Sequence, residues 1–331
     1  MRAWDGVLVR FGEIGIKSAP VRRSMLERLR RNLLTGMEMA KVEGDVATIG
    51  ARLWMVGPDA AALAGVAQRT FGVVSASPAR LVRSDLPALC DAAAALALTR
   101  TWRTFAIRAS REGTHPYTSQ DVGIQAGSAV YKAAEAAGRR PKVDLTKPEF
   151  EVHVDVRQDK AWLFTDHVQG PGGLPVGCQG RVLALLSDEA SFVAAWLMLR
   201  RGCDVAGLHA GDTGSVPIDA VAELEKWGMD TEVELLPVCS GAVTKETLLA
   251  AAANVARDRK CAALVTGETL DSVFAASPMP VLRPVCGLLP AEYVRWRARA
   301  AFAPFEPVRL LQARSRETVD SLLAMRRTVT L

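Results

Sequence analysis

The sequence predicts an α/β protein with several domains, on three observations. After residue 181, apolar strand-like runs alternate with helix-like stretches, a pattern typical of a parallel sheet. Residues 150–158 and 161–169 instead alternate apolar with polar side chains, as half-buried strands do. Between these regions the chain reads QGPGGLPVGCQG, and its five glycines and two prolines cannot continue a helix or strand. We therefore expect a domain boundary at residues 169–180.

Length and composition exclude several classes of protein. A chain of 331 residues has room for two or three domains, and its 49% hydrophobic content and mean hydropathy of +0.12 fit a globular protein. It has no run of eighteen apolar residues, and its N-terminus lacks the apolar stretch of a signal peptide, so we expect no membrane and a cytoplasmic location. Its six cysteines form no CxxC pair and its four histidines are scattered, so no metal site is predicted.

The first part of the chain combines a short strand with an arginine-rich helix. Residues 7–11 form the strand, and the helix begins near Pro20, with an apolar stripe on one side. Five arginines face a single glutamate, Glu27, on the other side; they are Arg22, Arg23, Arg28, Arg30 and Arg31. A solvated helix face is the alternative, but we favour a phosphate-facing surface. Residues 1–175 carry 24 Lys and Arg against 18 Asp and Glu, a net of +6, which favours a polyanionic partner.

The second part, residues 61–170, mixes helices and strands around a polar loop. The pattern predicts helices at 60–69, 86–98 and 124–137 and a hairpin turn at Asp159-Lys160. The loop region supplies hydrogen-bond donors and an aromatic ring, a mixture that suits RNA phosphates and bases. Its residues are Arg108, Arg111, His115, Tyr117 and Thr118. An ordinary polar loop has the same composition, and residue type alone does not separate the two.

The third part, residues 181–331, is expected to bind its ligand beyond the carboxyl ends of the strands. Strands are predicted at 181–187, 204–210, 233–238 and 261–268, with helices at 191–201, 217–227, 244–258 and near 290–301. The loop after Leu186 and the loop GETLDS after Val265 follow two such strand ends. The sequence therefore predicts a cleft formed by these two loops.

Several long stretches resemble one family. LVRFGEIGIKS, FAIRASREGTHPYTS, VDLTKPEFEVHVDVRQDKAWLFTDHVQGPGGLPVG, VAAWLMLRRG, ALVTGETL and PVLRP are similar to the tRNA 4-thiouridine sulfurtransferases, also known as the thiamine-biosynthesis ThiI family. The resemblance implies an N-terminal ferredoxin-like domain (residues 1–60), a THUMP RNA-binding domain (61–170), a linker (171–180) and a Rossmann-like PP-loop ATPase domain (181–331). It also implies binding of the tRNA acceptor region, a homodimer, and use of ATP and magnesium to adenylate a uridine before sulfur displaces AMP. A sulfur donor protein and thiazole sulfur supply for thiamine are further partners and roles that the resemblance implies.

The ATP loop departs from the family pattern. The family reads SGGxDS, whereas this chain reads Ser187, Asp188, Glu189, Ala190 and Ser191, one residue shorter. Glycine lets the backbone approach a phosphate closely, so side chains obstruct that approach, and two carboxylates repel the anion. At ~4 Å this repulsion is roughly 4 kcal/mol at an effective dielectric of 20, although a bridging magnesium ion could offset it. We expect Asp188 and Glu189 to cap the following helix in place of phosphate.

The second nucleotide loop and the sulfur chemistry also differ. Here the family's GESLGQ becomes GETLDS, which keeps Gly267 and Glu268 but loses the inner glycine and a glutamine. The chain also lacks the family's late sulfur-handling cysteine, since Cys286 lies too early. If ATP binds, the resemblance places it at Leu186, Ser187, Ser191, His209, Gly267 and Glu268.

Two functions from different classes remain open. The first is a tRNA-binding protein that has lost adenylation, and the second is an active sulfurtransferase with a variant ATP loop that takes sulfur from sulfide or a partner. We favour the first, because a fold alone does not confer activity. The residues expected to contact RNA are Gly12, Glu13, Lys17, Arg22, Arg23, Arg30, Arg31, Arg108, Arg111, His115, Tyr117, Lys142 and Lys147.

Overall fold

A computed structural model describes residues 4–49, 52–211, 217–230, 232–237, 239–240, 243–302, 311–312 and 319–330. The chain divides into two compact units. The first unit contains residues 1–11, 33–68 and 73–170, and the second contains residues 12–32, 69–72 and 171–331. Because the chain passes between the units more than once, neither unit is one continuous stretch of sequence, and the predicted domain boundaries stay predictions.

The described residues form nine helices and seventeen strands. The helices are α1 (Ala19–Met39), α2 (Ala60–Gln68), α3 (Leu86–Ala97), α4 (Ser119–Ala136), α5 (Glu189–Arg200), α6 (Ile218–Lys226), α7 (Lys245–Asp258), α8 (Pro290–Ala300) and α9 (Val319–Ala324), and a 3₁₀ turn covers Glu13–Ile16. The strands are β1 (Gly6–Phe11), β2 (Asp45–Ile49), β3 (Arg52–Val56), β4 (Val73–Arg83), β5 (Thr104–Glu112), β6 (Lys142–Val143), β7 (Phe150–Arg157), β8 (Lys160–Phe164), β9 (Val168–Gln169), β10 (Arg181–Leu185), β11 (Asp204–Ala210), β12 (Glu232–Leu236), β13 (Cys239–Ser240), β14 (Ala263–Val265), β15 (Val281–Leu282), β16 (Leu311–Gln312) and β17 (Arg327–Thr330).

One mixed sheet organises the first unit. Its strand order is β2-β3-β1-β4-β8-β7-β5-β6, with β9 also paired to β4. The long strand β4 joins two halves, because its early residues pair with β1 and its last residues, 80–83, pair with β8. Helices α3 and α4 cover one face, where Phe105, Val130 and Phe150 are buried. The sheet therefore continues through β4 across the predicted boundary near residue 60.

Local sequence signals explain where the elements of this unit begin and end. Helix α4 begins at Ser119, earlier than predicted, because Thr118 and Asp121 form a capping box. The predicted hairpin is confirmed, but its turn is Gln158-Asp159, one residue earlier than predicted, since Lys160 pairs with Arg157 and Gln158 has a positive φ of 52°. The predicted strand 161–169 is two strands, β8 and β9, and the second of these turns back to pair with β4.

The second unit contains the predicted parallel sheet. Its order is β15-β14-β10-β11-β12-β17, and all neighbours are parallel except β12 and β17. One core cluster contains Phe192, Trp196 and Leu224, and another contains Leu183, Leu264 and Ala252. Strand β14 is shorter than predicted, since the residues after Val265 form a loop. In the described part of the chain, no helix is long and apolar enough to cross a bilayer.

A buried carboxylate ties the C-terminal strand to this sheet. Glu234 on β12 is only 1% exposed. It accepts a hydrogen bond from Arg326 Nε at 2.8 Å, and Arg259 Nη1 lies 3.5 Å from its other oxygen. Thr328 on β17 donates its hydroxyl to the same group at 3.2 Å. These contacts offset the cost of burying the charge and fasten β17 at the edge.

Glu234→Ala should therefore lower the free energy of unfolding by about 3 kcal/mol, because it leaves two guanidinium groups without their shared carboxylate. Urea denaturation monitored by circular dichroism measures this change. The matched control is Glu232→Ala, which removes a more exposed carboxylate from the same Arg259. Its expected loss is less than about 1 kcal/mol. Equal losses for the two variants would contradict the assignment.

Candidate functional site

The candidate site lies where the chain leaves two neighbouring parallel strands. Strand β10 pairs with β11 on one side and with β14 on the other, so the loops after β10 and β14 leave the same edge of the sheet. The connections from these strands lead to opposite sides of β10. Open α/β sheets bind ligands at such a point, where the strand order reverses. The prediction that the loops after Leu186 and Val265 follow strand ends is confirmed.

Asp188 caps helix α5 as the sequence predicted. Its Oδ1 accepts the backbone N–H of Ser191 at 2.7 Å, and the two residues form a capping box. An N-cap carboxylate satisfies a free donor of the first turn and lies at the positive end of the helix dipole. One amide of the helix start is therefore bonded to the chain's own carboxylate.

Ser191 closes the loop from the other direction. Its hydroxyl accepts the backbone N–H groups of Ser187 at 2.9 Å and Asp188 at 3.0 Å, and donates to the Asp188 carbonyl at 2.6 Å. Only 1% of Ser191 is exposed. Three loop amides, those of Ser187, Asp188 and Ser191, are thus hydrogen-bonded within the loop itself.

Glu189 does not cap the helix, so that part of the prediction is wrong. It is the first residue of α5, and its carboxylate lies against helix α8. Tyr293 donates its hydroxyl to Oε1 at 3.1 Å, and Arg297 Nε lies 2.7 Å from Oε2. Burial and the neighbouring Glu189 raise the pKa of Tyr293 to about 12, so the phenol stays protonated and keeps donating. Sequence reasoning missed both partners, since α8 is far from the loop in sequence.

Gly267 packs directly on the start of α5. A Cβ built at Gly267 would lie 2.3 Å from the Ser191 nitrogen and 2.6 Å from the Ala190 carbonyl carbon. No side chain fits in that space, so glycine is required for the loop after β14 to approach the capped turn. The contact brings the two loops together over the helix N-terminus.

Glu268 is held by three donors. It is 9% exposed and forms ion pairs with Lys245 and with Arg283 Nε, the latter at 2.5 Å, while Thr266 donates its hydroxyl at 3.0 Å. Burial alone would raise the pKa of Glu268, but these hydrogen bonds hold it below its usual range. Lys245 and Arg283 are further site residues that the sequence analysis did not identify. Within the described ranges, no three His, Cys, Asp or Glu side chains group as metal ligands would.

Leu186 and His209 do not line an open surface. Leu186 is 1% exposed, and His209 is fully buried. The Leu186 carbonyl accepts a hydrogen bond from His209 Nδ1 at 2.9 Å, which requires the proton to be on Nδ1. Contrary to the expectation for ATP, the two residues brace the end of β10 from inside, because β11 places His209 beneath the loop.

Several arginines of α1 are exposed. Met25 and Leu29 are buried along one stripe of the helix, and Arg22 and Arg23, near its N-terminal end, are exposed. Glu27 pairs with two other arginines; they are Arg30, at 3.5 Å, and Arg31, at 3.2 Å. Residues 12–32 belong to the second unit. The exposed arginines of α1 therefore share a unit with the parallel sheet.

In the first unit, the predicted RNA residues divide into exposed and buried ones. Arg108 and Arg111 are exposed, with Arg108 Nε 2.5 Å from Glu151. His115 is partly exposed and lies 2.6 Å from the Gln158 carbonyl. Tyr117 is 7% exposed, packs in the core beneath α4 and donates its hydroxyl to the Ser84 carbonyl, so it does not present its ring to a ligand.

The remaining predicted RNA residues are accessible and are divided between the two units. Lys142 and Lys147 are exposed in the first unit, at and after β6. Gly12 and Glu13 are exposed and Lys17 is partly exposed, and all three lie at the 3₁₀ turn of the second unit.

Three family models match the chain in order. A ThiI ferredoxin-like domain matches residues 6–77, a THUMP domain matches residues 83–166, and the thiamine biosynthesis protein (ThiI) matches residues 177–229.

Relatives and solved structures agree with these matches. A probable tRNA sulfurtransferase of Halobacterium salinarum is 36% identical over 316 residues, which cover 85% of this chain and 80% of the relative. A tRNA sulfurtransferase of Pyrobaculum aerophilum is 30% identical over 326 residues, or 87% of this chain and 65% of that protein. The chain belongs to the ThiI family of tRNA sulfurtransferases. A crystal structure of a 4-thiouridine synthetase–RNA complex with bound ATP shares the fold, with a TM-score of 0.76 and 19% identity over 98% of this chain and 99% of that one. A crystal structure of a Pyrococcus horikoshii protein also shares the fold. Its TM-score is 0.75 and its identity 23%, over 90% of this chain and 99% of that one.

The cap at Asp188 predicts a measurable loss of stability. Asp188→Ala should lower the free energy of unfolding by about 1 kcal/mol, because the Ser191 N–H loses its acceptor. Asp188→Asn keeps an acceptor of the same shape and should change stability by less than half as much. Thermal melting of the three proteins at one pH measures both effects. A variant with alanine that is as stable as the asparagine variant would contradict the cap.

The close approach at Gly267 predicts a second effect. Gly267→Ala should destabilise the chain by about 1–3 kcal/mol, because a Cβ at 2.3 Å from backbone forces the two loops apart. Gly65→Ala in α2 is the control, since its Cβ meets nothing within 4 Å and alanine favours a helix. Urea denaturation of both variants should shift the midpoint in opposite directions. A neutral result at Gly267 would show that the loops do not pack as described.

Proposed function

We propose that this chain is a tRNA-binding member of the ThiI family whose PP-loop cleft binds ATP weakly or not at all. The observation that carries the proposal is the closed loop of Asp188 and Ser191. A phosphate loop works by directing several free backbone N–H groups at one anion. Here the amides of Ser187, Asp188 and Ser191 already have partners within the chain.

Charge and space at this position also oppose a phosphate. The Asp188 carboxylate lies where the helix dipole would otherwise favour a ligand's anion, and like charges about 4 Å apart repel by roughly 4 kcal/mol at an effective dielectric of 20. Gly267 fills the space directly over the first turn of α5. The residues present therefore do not fit the ATP and magnesium that the family uses.

RNA binding is supported by sequence and by charge. Residues 83–166 match the THUMP domain, and the relatives at 30–36% identity are named tRNA sulfurtransferases. The solved relative with the same fold is a complex of a 4-thiouridine synthetase with RNA. Arg22 and Arg23 are exposed on α1, in a part of the chain with a net charge of +6. Phosphate contacts of this kind supply most of the affinity of non-specific RNA binding.

A second candidate is an active sulfurtransferase with a variant loop. The observation that favours it is Glu268, which is retained from the family motif and held ionised by Lys245 and Arg283. Such an enzyme would need another route for phosphate and a sulfur source outside the chain. ATP binding separates the two candidates, because the enzyme requires it and the RNA-binding protein does not.

Titration calorimetry with ATP and magnesium should give no micromolar binding to the native chain. The double variant Asp188→Gly, Glu189→Gly should be less stable, because it loses the cap, yet it should bind nucleotide more tightly than the native chain. Glu232→Ala is a control that removes a carboxylate on β12. Micromolar ATP binding by the native chain would overturn the proposal and favour the active enzyme.

Binding of a tRNA transcript should fall steeply with salt, as expected when phosphate contacts release counterions. Arg22→Glu with Arg23→Glu should weaken binding at least about tenfold for all tRNAs, because neither residue reads bases. Arg257→Glu with Lys260→Glu is the matched control, since it inverts two exposed charges at the end of α7 and the turn after it. Fluorescence anisotropy across a salt series measures both. If the two double variants behave alike, α1 is not the RNA surface.

A further inference from the structure

A groove of about 900 Å³ lies in the second unit, along the C-terminal end of α5. Trp296 of α8 and the turn that contains Glu13 and Lys17 form its other walls. Leu197 and Met198 supply apolar lining. We call this feature the basic groove. It lies at the opposite end of α5 from the capped loop.

The lining of the basic groove is strongly cationic. Five of its residues are basic and Glu13 is its acidic residue; the basic ones are Lys17, Arg181, Arg200, Arg201 and Arg283. Arg181 is paired with Asp230, and Arg283 with Glu268. In the part of the chain that the structure describes, Lys17, Arg200 and Arg201 have no carboxylate within 4.0 Å. Three cations therefore line the groove without an ion pair to a carboxylate of the described residues.

Arg200 shows how closely these charges are held together. Its Nε donates to the Pro171 carbonyl at 3.2 Å, and its guanidinium lies 4.4 Å from the centre of the Trp296 ring. Arg295 lies 4.5 Å from the same ring. Burial lowers the pKa of Arg200, and the nearby positive charges of Arg299, Arg201 and Arg295 lower it further, against a partial offset from Glu13.

The helix dipole explains only part of this arrangement. Cations at the C-terminal end of α5, such as Arg200 and Arg201, are favoured by the dipole of that helix. Arg295 lies in the middle of α8, and Lys17 precedes α1, so neither is accounted for in this way. Like charges gathered from three separate segments raise the electrostatic energy of the free protein, and a bound polyanion would relieve it.

We propose that the basic groove binds the phosphate backbone of an RNA strand. This inference rests on the proposed tRNA binding and adds a second contact surface to it. The cations are spread along a groove too large for one phosphate, which fits a chain of phosphodiesters better than a single small anion. Lys17 also lies just before α1, whose exposed Arg22 and Arg23 belong to the same unit. The groove and the helix thus place basic residues in the same unit.

The test uses the full chain and a charge-neutralising pair, Lys17→Gln with Arg201→Gln, both of which line the groove. Arg201 is exposed and Lys17 is partly exposed, so the fold should survive, and thermal melting checks this. The control pair, Arg257→Gln with Lys260→Gln, removes the same charge elsewhere on the unit. For a tRNA transcript, the groove pair should raise Kd about tenfold and reduce the slope of log K against log salt by about 1.4, or about 0.7 for each lost contact with a single strand. The control pair should change neither.

Lysine acylation read by mass spectrometry gives a second measurement that needs no variant. The tRNA should protect Lys17 from the reagent and leave Lys260 reactive. Unchanged Kd, salt slope and Lys17 reactivity would overturn this inference, even if Arg22→Glu with Arg23→Glu weakens binding. Protection of Lys17 by inorganic pyrophosphate but not by tRNA would also overturn it, in favour of a small-anion site. A native chain that binds no tRNA would overturn both proposals.

Discussion

Reciprocal hydrogen bonds between Asp188 and Ser191 hold the point where the central strand β10 becomes helix α5. The carboxylate accepts the Ser191 N–H, and the Ser191 hydroxyl accepts the N–H groups of Asp188 and Ser187. Because side chains of the chain itself close this turn, Gly267 can pack on its backbone at a distance that excludes any larger residue. That contact places the next residue, Glu268, so the arrangement of the cleft follows from one capping box.

A carboxylate in the chain has an advantage over a bound phosphate as the partner of a helix N-terminus. It is always present, so the cap stabilises the fold whether or not a ligand is available. A ligand phosphate must also compete with the Asp188 carboxylate, which is held at the helix start at very high effective concentration. A displaced carboxylate would then have to be solvated elsewhere. Glu189 adds to this closure indirectly, since its ion pair with Arg297 fastens α8 to the first turn of α5.

Features set by local sequence could be predicted, and features set by distant packing could not. Residues close in the chain determine the helix and strand periods and the cap at Asp188. The alternation of strands and helices, which predicts the parallel sheet, is also a local pattern. The partners of Glu189 could not be predicted, because Tyr293 is 104 residues away and nothing in the loop specifies it. Tyr117 looked available because its neighbours are polar, yet α4 starts early at its capping box and buries the ring. Only the pairing of β4 with both β1 and β8 shows that the sheet is continuous.

Helix α5 carries opposite charges at its two ends, and this polarity links the cleft to the basic groove. Asp188 and Glu189 lie at its N-terminal end, and Arg200 and Arg201 at its C-terminal end. Each pair has the sign that the helix dipole favours, so both stabilise the fold without any ligand. For an anionic polymer the two ends differ, since one repels phosphate and the other attracts it. Under the proposed function, Asp188 disfavours a phosphate where the family pattern has a glycine, and the cationic end of α5 is the side of this unit that favours RNA.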